Sequence, residues 1–552
     1  MEVYPVPFGP ADLLLHNAKF ITVDRRRPVA GAIAVKGDRI VAAGGSMEAL
    51  RAFSGPETAL ENLGGKTVIP GIVDSHNHIV AAGRAMDGVL LFDAKNMNDV
   101  KELVARRVAR AAPGEWIQGA GWIESQFDEH RPPTRWDLDE ASPHNPVILN
   151  RLFGASVCNS KALAAAGIGP RTPDPPVGTI VRDRKSGEPD GYLRDGAQVL
   201  VRDMIPKGTI QDVVAEYKRH AKRALAEYVR WGITSVIDPG SDPYAMRAYQ
   251  ELYLEGELVP RINMMPAWWG LRGTEDPYVP VKAAAMGVRT RFGDGQLSIG
   301  ALKMAIDGGL GSKTAMMYEP WIDGTRTTVP PRLDMSKLKD YFNEAHRAGW
   351  SVGIHTIGDK AQDIAVDTFS QVMSAYPRDG VRHNIIHGYF PTPKALDLMK
   401  RHNIGVSVQP GFIWVEGDIY YEALPEKRLW NYKPLKTYLD TGIIVAANSD
   451  MTSAHYNPFL GMCAAVTRKT PRGRVMGEEQ RLSVEEMLPL FTLEGAKLSF
   501  EENLKGSIEP GKFADLAVLS DDITAVEPDR IKDLTVLATY IGGRKVHDAR
   551  EA

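Results

Sequence analysis

Residues 68–78 read Val68-Ile69-Pro70-Gly71-Ile72-Val73-Asp74-Ser75-His76-Asn77-His78. This apolar run with its Pro-Gly break predicts a short buried strand, and two histidines follow it one residue apart. Residues i and i+2 of a strand point to the same face, so both imidazoles are expected to leave the strand tip on one side. The pair forms half of a metal site, although the motif taken alone is also compatible with ordinary turn histidines.

The composition is that of a globular protein. The chain has 552 residues, 43% hydrophobic and 24% charged, enough for one large domain with a smaller one or for two to three domains. A net charge of -3 gives no electrostatic drive toward a phosphate backbone, so nucleic acid is not an expected partner. The chain has two cysteines, Cys158 and Cys463, too few for a disulfide framework or a Cys-rich zinc site, which favours a cytoplasmic location.

The N-terminal residues carry no recognisable targeting signal. Met1–Pro10 has neither a basic region nor a long apolar core, and no segment reaches the roughly 18 apolar residues of a membrane span. A soluble protein without membrane contact is therefore expected.

The two ends of the chain are similar in texture. Residues 1–67 and 506–552 both read as short strands separated by turns, and together they are expected to form one small composite β-sandwich domain. Between them, residues 68–505 alternate apolar strands with helical periodicity, which is typical of parallel βα units. Eight strand candidates end at His76, Asp238, Pro266-Ala267, Lys303, His355, His387, Gln409 and Asp450.

This pattern predicts an α/β fold, a (β/α)8 TIM-type barrel, in which active sites lie at the carboxyl ends of the strands. The first two strand ends are much farther apart than the later ones, so an insertion at about 97–207 follows the first barrel strand. It would lie over the barrel mouth and shape access, or it would be a peripheral subdomain.

Six residues at these strand ends are the candidate metal ligands: His76, His78, Lys303, His355, His387 and Asp450. Neutral imidazoles and a carboxylate suit a borderline divalent ion such as Zn²⁺. Asp450 is also the candidate catalytic residue, because a carboxylate beside an activated water can accept its proton; as a helix N-cap it would be unremarkable. Lys303 lies in an apolar strand, where it would either form a carbamate with carbon dioxide or pair with an acid such as Asp307.

These motifs resemble those of the amidohydrolase superfamily, in its long YtcJ-like branch that includes N-substituted formamide deformylase. The resemblance rests on residues 70–78, on the return to the small domain at 506–519, and on the segments 303–315, 355–359, 386–388 and 448–450. It covers nearly the whole chain.

The resemblance implies a metal-dependent hydrolase with one or two divalent ions. His76, His78 and Asp450 would hold the more buried ion, His355 and His387 the other, and N6-carboxylated Lys303 would bridge them. Asp450 would take the proton of the attacking water and deliver it to the leaving atom. The branch commonly has a histidine where this chain has Ala155. If that histidine contacts substrate in the relatives, the substrate class of this chain differs from theirs, so a deformylase activity is not carried over.

Aromatic residues near the predicted mouth indicate an apolar or aromatic small-molecule substrate, although each is equally compatible with a core position. The candidates are Trp122, Phe153, Trp268, Trp269, Trp321 and Trp414, with His455 as a further substrate contact. The expected reaction is cleavage of a C–N amide-type bond. Ester or lactone hydrolysis, or deamination of a ring, would use the same activated water, and a non-catalytic scaffold is the third alternative. A homodimer is the default expectation for a barrel enzyme.

Overall fold

The computed structural model describes residues 9–152, 154–175, 178–268, 278–311, 313–321, 324–325 and 335–550. Phe153 and Trp269, both predicted pocket residues, lie outside these ranges. Among the described residues, no helix is both long and apolar enough to cross a membrane.

The strands, in chain order, are β1 (Leu13–Ile21), β2 (Val29–Lys36), β3 (Arg39–Gly44), β4 (Ala59–Pro70), β5 (Ile72–Asp74), β6 (Val89–Leu90), β7 (Ile117–Trp122), β8 (Val147–Arg151), β9 (Ala155–Cys158), β10 (Gly178–Arg182), β11 (Pro189–Asp195), β12 (Ile233–Ser241), β13 (Arg261–Pro266), β14 (Leu297–Ile299), β15 (Leu302–Ala305), β16 (Val352–Thr356), β17 (Asn384–His387), β18 (Gly405–Val408), β19 (Val445–Ala447), β20 (Leu516–Leu519), β21 (Val536–Ile541) and β22 (Arg544–Asp548).

The α-helices are α1 (Ile79–Asp87), α2 (Met97–Val108), α3 (Arg135–Ala141), α4 (Ser160–Ala165), α5 (Ala197–Arg202), α6 (Ile210–Arg230), α7 (Pro243–Leu254), α8 (Val279–Ala285), α9 (Leu338–Arg347), α10 (Asp359–Ala375), α11 (Pro393–His402), α12 (Phe412–Ala423), α13 (Glu426–Leu429), α14 (Leu435–Thr441), α15 (Pro458–Thr467), α16 (Val484–Leu490) and α17 (Leu493–Leu498).

Both chain ends contribute to one seven-stranded sheet, in the order β22-β21-β20-β4-β1-β2-β3. Its longest strand, β4, runs directly into β5 through Gly71. A Cβ atom at Gly71 would lie 2.1 Å from the Thr234 Oγ1, so this close crossing requires glycine. The sheet therefore fixes where the first central strand begins.

The central strands are parallel and form two sheets, ordered β14-β13-β12-β5 and β15-β16-β17-β18-β19. A parallel bridge between Ala267, which follows β13, and Lys303 in β15 connects the two sheets on one side. At the other pair, the Ser75 N–H donates to the Ala447 carbonyl over 3.3 Å. These strands are buried on both faces and rich in Val, Ile and Ala, as expected of parallel strands covered by helices.

The segment after the first central strand forms its own six-stranded mixed sheet, β10-β11-β9-β8-β7-β6. Trp122, expected to line a pocket, is fully buried in the core of this sheet beside Phe127. Its indole N–H donates to the Leu149 carbonyl over 3.2 Å, which satisfies the one polar atom of the ring. Trp122 therefore stabilises the inserted sheet.

Candidate metal centre

The turn after β5 carries both histidines of the first motif. The side chain of His76 is 1% exposed and that of His78 is 41% exposed, so the pair extends from the protein interior toward solvent. His78 precedes α1, whose first residue donates its backbone N–H to Asp238 over 3.2 Å. The end of β12 thus also holds this turn in place.

Asp74, the last residue of β5, organises the turn although the sequence did not single it out. Its buried carboxylate accepts hydrogen bonds from the His76 N–H (3.3 Å) and the Asn77 Nδ2 (2.9 Å). It also accepts from the N–H (3.1 Å) and the Oγ–H (2.6 Å) of Ser449, beyond β19. One carboxylate thus joins the tips of two strands that are 375 residues apart in the chain.

Asp450 follows β19 and meets both histidines. Its backbone N–H donates to the His76 carbonyl over 2.9 Å, at a left-handed φ of 50°. Its Oδ1 lies 3.7 Å from the His76 Nε2 and 3.4 Å from the His78 Nε2. Ligand atoms of the three residues all lie within 4.8 Å of one another, as is needed for a shared ion.

His355 and His387 form a second pair beside this cluster. His355 lies in β16 and His387 ends β17, and the His387 Nε2 lies 2.7 Å from the His355 Nδ1. The His387 Nδ1 is 3.9 Å from the Asp450 Oδ2, so this carboxylate lies between the two groups of histidines.

Each histidine of this pair has a polar partner at its other nitrogen. The His355 Nε2 is 3.2 Å from the Gly308 carbonyl, and the His387 Nδ1 is 3.0 Å from the Gln409 Oε1. Both acceptors require a donated N–H, which leaves lone pairs on the two facing nitrogens. A pair of lone pairs at this separation attracts a cation.

Lys303 lies inside β15 rather than at its carboxyl end. Its side chain is buried, and its Nζ is 3.4 Å from the His76 Nε2. Burial, followed by the nearby charge of Lys303, lowers the pKa of His76 well below its usual value, so this ring is neutral. Burial and His355 likewise lower the pKa of His387. Neutral imidazole is the form that binds metal ions.

The donor set fits a divalent ion. The buried His76 Nδ1 has no hydrogen-bond partner among the described residues. Four imidazoles and one carboxylate therefore converge with lone pairs available, in a setting where an unpaired polar atom is costly.

The remaining predicted pocket residues within the described ranges are buried or half-buried. Trp268 is 1% exposed within the main core, and Trp321 is half-buried against a separate apolar cluster. Trp414 is half-buried in α12. His455 stacks on Tyr456, with ring centroids 4.5 Å apart, and its Nδ1 accepts the Asn457 N–H over 2.9 Å. These contacts give His455 a role in the local turn.

A cavity of about 930 Å³ separates the inserted sheet from α1 and α6. It reaches Thr452, two residues beyond Asp450, and Ala155 forms part of its wall. Four cationic side chains line it, Arg84, Arg151, Arg202 and Lys207. Ala155 contributes no more than a methyl group to this wall.

Known proteins resemble this chain over most of its length. Protein LONG AFTER FAR-RED 3 of Arabidopsis thaliana is 32% identical over 97% of this chain and 92% of its own. N-substituted formamide deformylase of Arthrobacter pascens is 29% identical over 96% of this chain and 97% of its own. The crystal structure of an uncharacterized metal-dependent hydrolase from Pyrococcus horikoshii OT3 matches with a TM-score of 0.73 and 25% identity, covering 94% of this chain and 99% of that one.

The family model described as "Amidohydrolase family" matches residues 59–547. This span starts at β4 and extends into β22, so it includes all of the central parallel strands and every candidate ligand. The resemblance drawn from the sequence motifs is confirmed. The chain belongs to the amidohydrolase family.

Proposed function

We propose that this protein is a metal-dependent hydrolase that cleaves a C–N amide-type bond in a small apolar or aromatic substrate. The observation that carries the proposal is the convergence of the His76, His78 and Asp450 cluster with the His355 and His387 pair around one carboxylate. The similarity to a formamide deformylase and to a metal-dependent hydrolase of known structure supports it.

We further propose that the chain holds one or two Zn²⁺ ions, His76, His78 and Asp450 binding one and His355 and His387 the other. When bound, such ions make a water nucleophilic at neutral pH and polarise a carbonyl oxygen. Lys303 is a fitting bridge because its buried Nζ lies 3.4 Å from the His76 Nε2. Addition of the neutral amine to carbon dioxide, with loss of one proton, would give an anionic carbamate there.

Asp450 is the proposed acid–base residue. Its Oδ1 faces His76 and His78 while its Oδ2 lies on the His387 side, so its carboxylate is central to the cluster. It would accept the proton of the attacking water and return it to the departing nitrogen. Its backbone is anchored to His76, which keeps the carboxylate in place while the proton moves.

The proposal includes the architecture around the centre. The parallel strands β5, β12, β13 and β15–β19, with β14 continuing into β15 across Gly300 and Ala301, would form a (β/α)8 barrel. Residues 1–67 and 506–552 would form one composite domain, and residues of about 97–207 would cover the mouth. The bridge between Ala267 and Lys303 and the hydrogen bond from Ser75 to Ala447 support closure of the barrel.

Hydrolysis assays on zinc-loaded protein test the proposed activity. The panel pairs N-benzylformamide with benzyl formate, so that the apolar group is constant and only the scissile bond changes. Faster release of benzylamine than of benzyl alcohol, relative to each uncatalysed rate, supports amide specificity, and Asp450→Asn is expected to abolish it. Faster ester cleavage would favour the C–O alternative, and hydrolysis of neither compound by protein that binds zinc would overturn the amide assignment.

A further inference from the structure

Lys433 is a buried lysine outside the six candidate ligands. It is 0% exposed and lies in the turn between α13 and α14, with a left-handed φ of 47°. Its backbone N–H donates to the Tyr389 carbonyl over 2.8 Å, and its carbonyl accepts from the Arg468 Nη1 over 3.0 Å. Arg468 is fully buried as well, so the turn is held from both sides.

The Lys433 ammonium meets an amide and aromatic rings. Its Nζ donates to the Gln409 Oε1 over 2.9 Å and lies 3.5 Å from the centre of the Tyr389 ring. Burial lowers the pKa of Lys433 to about 7, against the opposing effects of Glu416 and Asp450. A neutral amine would donate to the same oxygen, so the contact does not depend on the charge.

The orientation of the Gln409 amide follows from its neighbours. Gln409 follows β18 and is 0% exposed, and its Nε2 donates to the Asn448 Oδ1 over 2.9 Å. The Asn448 Nδ2 donates to the Ser407 Oγ and to the Val408 carbonyl, each over 2.9 Å, so its Oδ1 must face Gln409. Asn448 and Lys433 therefore select the same orientation of the amide.

This orientation determines which nitrogen of His387 carries the proton. The Gln409 Oε1 is an acceptor only, and it lies 3.0 Å from the His387 Nδ1. The proton must be on Nδ1, which leaves the Nε2 lone pair pointing at the candidate centre, 2.7 Å from the His355 Nδ1. The Gln409 Oε1 accepts from the His387 Nδ1–H and from the Lys433 Nζ. Without Lys433, one of the two lone pairs of this oxygen has no donor.

We propose that Lys433 is a positioning residue that acts through Gln409 to fix the tautomer and direction of His387 as a metal ligand. The inference builds on the proposed metal centre. It assigns a role to a lysine that touches neither the cluster nor the proposed substrate. Partners of this kind typically change metal affinity by about 10- to 100-fold when they are removed.

The test compares Co²⁺ affinity, by chelator competition, in wild type, Lys433→Met, Gln409→Leu and the double variant. Each single change is expected to lower the affinity for the ion held by His387 by about 10- to 100-fold. The double variant should lose no more than Gln409→Leu, because the proposed effect of Lys433 passes through this amide. Lys436→Met is the matched control, since its Nζ pairs with Glu486 over 2.7 Å at the surface. Unchanged affinity in Lys433→Met, or fully additive losses, would overturn the inference.

The tautomer is measured directly on wild-type protein, which covers the case in which Lys433→Met or Gln409→Leu does not fold. Two-bond ¹⁵N–¹H spectra of metal-free protein labelled at histidine, with His387 assigned from His387→Gln, are expected to show the Nδ1-protonated ring. The Nε2-protonated form would overturn the inference. Failure of wild type to bind any ion would instead overturn the proposed metal centre, and this spectrum would still show which nitrogen of His387 carries the proton.

Discussion

Replacement of Asp74 by Asn tests the link between the two strand ends that form the cluster. The two side chains have nearly the same volume, so packing is preserved while one acceptor oxygen becomes a donor. The new NH₂ cannot face the Asn77 Nδ2 favourably. Turning the Asn77 amide over would break the hydrogen bond that its Oδ1 accepts from the Tyr228 hydroxyl over 2.5 Å. Ser449 Oγ must also reorient.

The expected cost follows from the hydrogen bonds that are lost. The Asn77 and Ser449 side chains donate to the buried Asp74 carboxylate over 2.9 and 2.6 Å. Hydrogen bonds to a charged group contribute about 1.5–3 kcal/mol each, so Asp74→Asn should lower the free energy of unfolding by about 3–6 kcal/mol. Because the two strand ends separate, metal affinity should also fall by about 10- to 100-fold.

The assays are urea unfolding of metal-free protein and chelator competition with Zn²⁺. Asp139→Asn is the control, because Asp139 accepts the N–H and Oγ–H of Ser160 over 2.9 and 2.6 Å, the same pairing within the inserted segment. That variant should lose stability and keep its zinc affinity. An Asp74→Asn protein that unfolds at the wild-type urea concentration and binds zinc as tightly would refute the reasoning.

Three further predictions concern the scaffold. Asp515→Ala should lower the free energy of unfolding by about 3–5 kcal/mol, because Arg261 stays buried and loses the carboxylate that it contacts over 2.7 and 2.9 Å. An unchanged midpoint of urea unfolding would contradict this. Gly71→Ala should lower the free energy of unfolding by about 1–3 kcal/mol, because the new methyl group clashes with Thr234. Gly45→Ala should leave it unchanged, because a Cβ atom at Gly45 meets open space. Equal effects of the two substitutions would contradict the steric explanation. Burial lowers the pKa of His383 well below its usual value, so the unfolded state binds more protons and stability should fall as the pH drops below about 6.5. In His383→Asn the melting temperature should fall less steeply with decreasing pH. An unchanged dependence of the melting temperature on pH would contradict this.

Two simple rules predict that the candidate ligands lie near one another. The alternation of a strand predicts that His76 and His78 act together, and parallel strands predict that His355, His387 and Asp450 meet at one edge. Each of these inferences needs only the strand period and the polarity of parallel strands.

The supporting contacts were not predictable because they join distant segments. Asp74 reaches Ser449 across 375 positions, and Lys433 reaches Gln409 through a turn whose φ of 47° no motif indicates. The aromatic residues show the same limit, because the sequence around Trp122 is the same whether its side chain is buried in a core or lines a pocket. The sequence shows that a side chain is apolar, and only the folded structure shows which residues it packs against.

The metal content of the purified protein shows whether the candidate ligands hold divalent ions. Elemental analysis of purified wild type, Asp450→Asn and Lys303→Ala measures how many ions each protein holds. We expect one to two equivalents of zinc or a similar divalent ion in wild type, fewer in Asp450→Asn, and loss of one ion in Lys303→Ala if Lys303 bridges two. Wild-type protein that holds no ion, and acquires none from Zn²⁺, Mn²⁺ or Co²⁺ with bicarbonate, would contradict the metal-dependent mechanism and favour a non-catalytic scaffold.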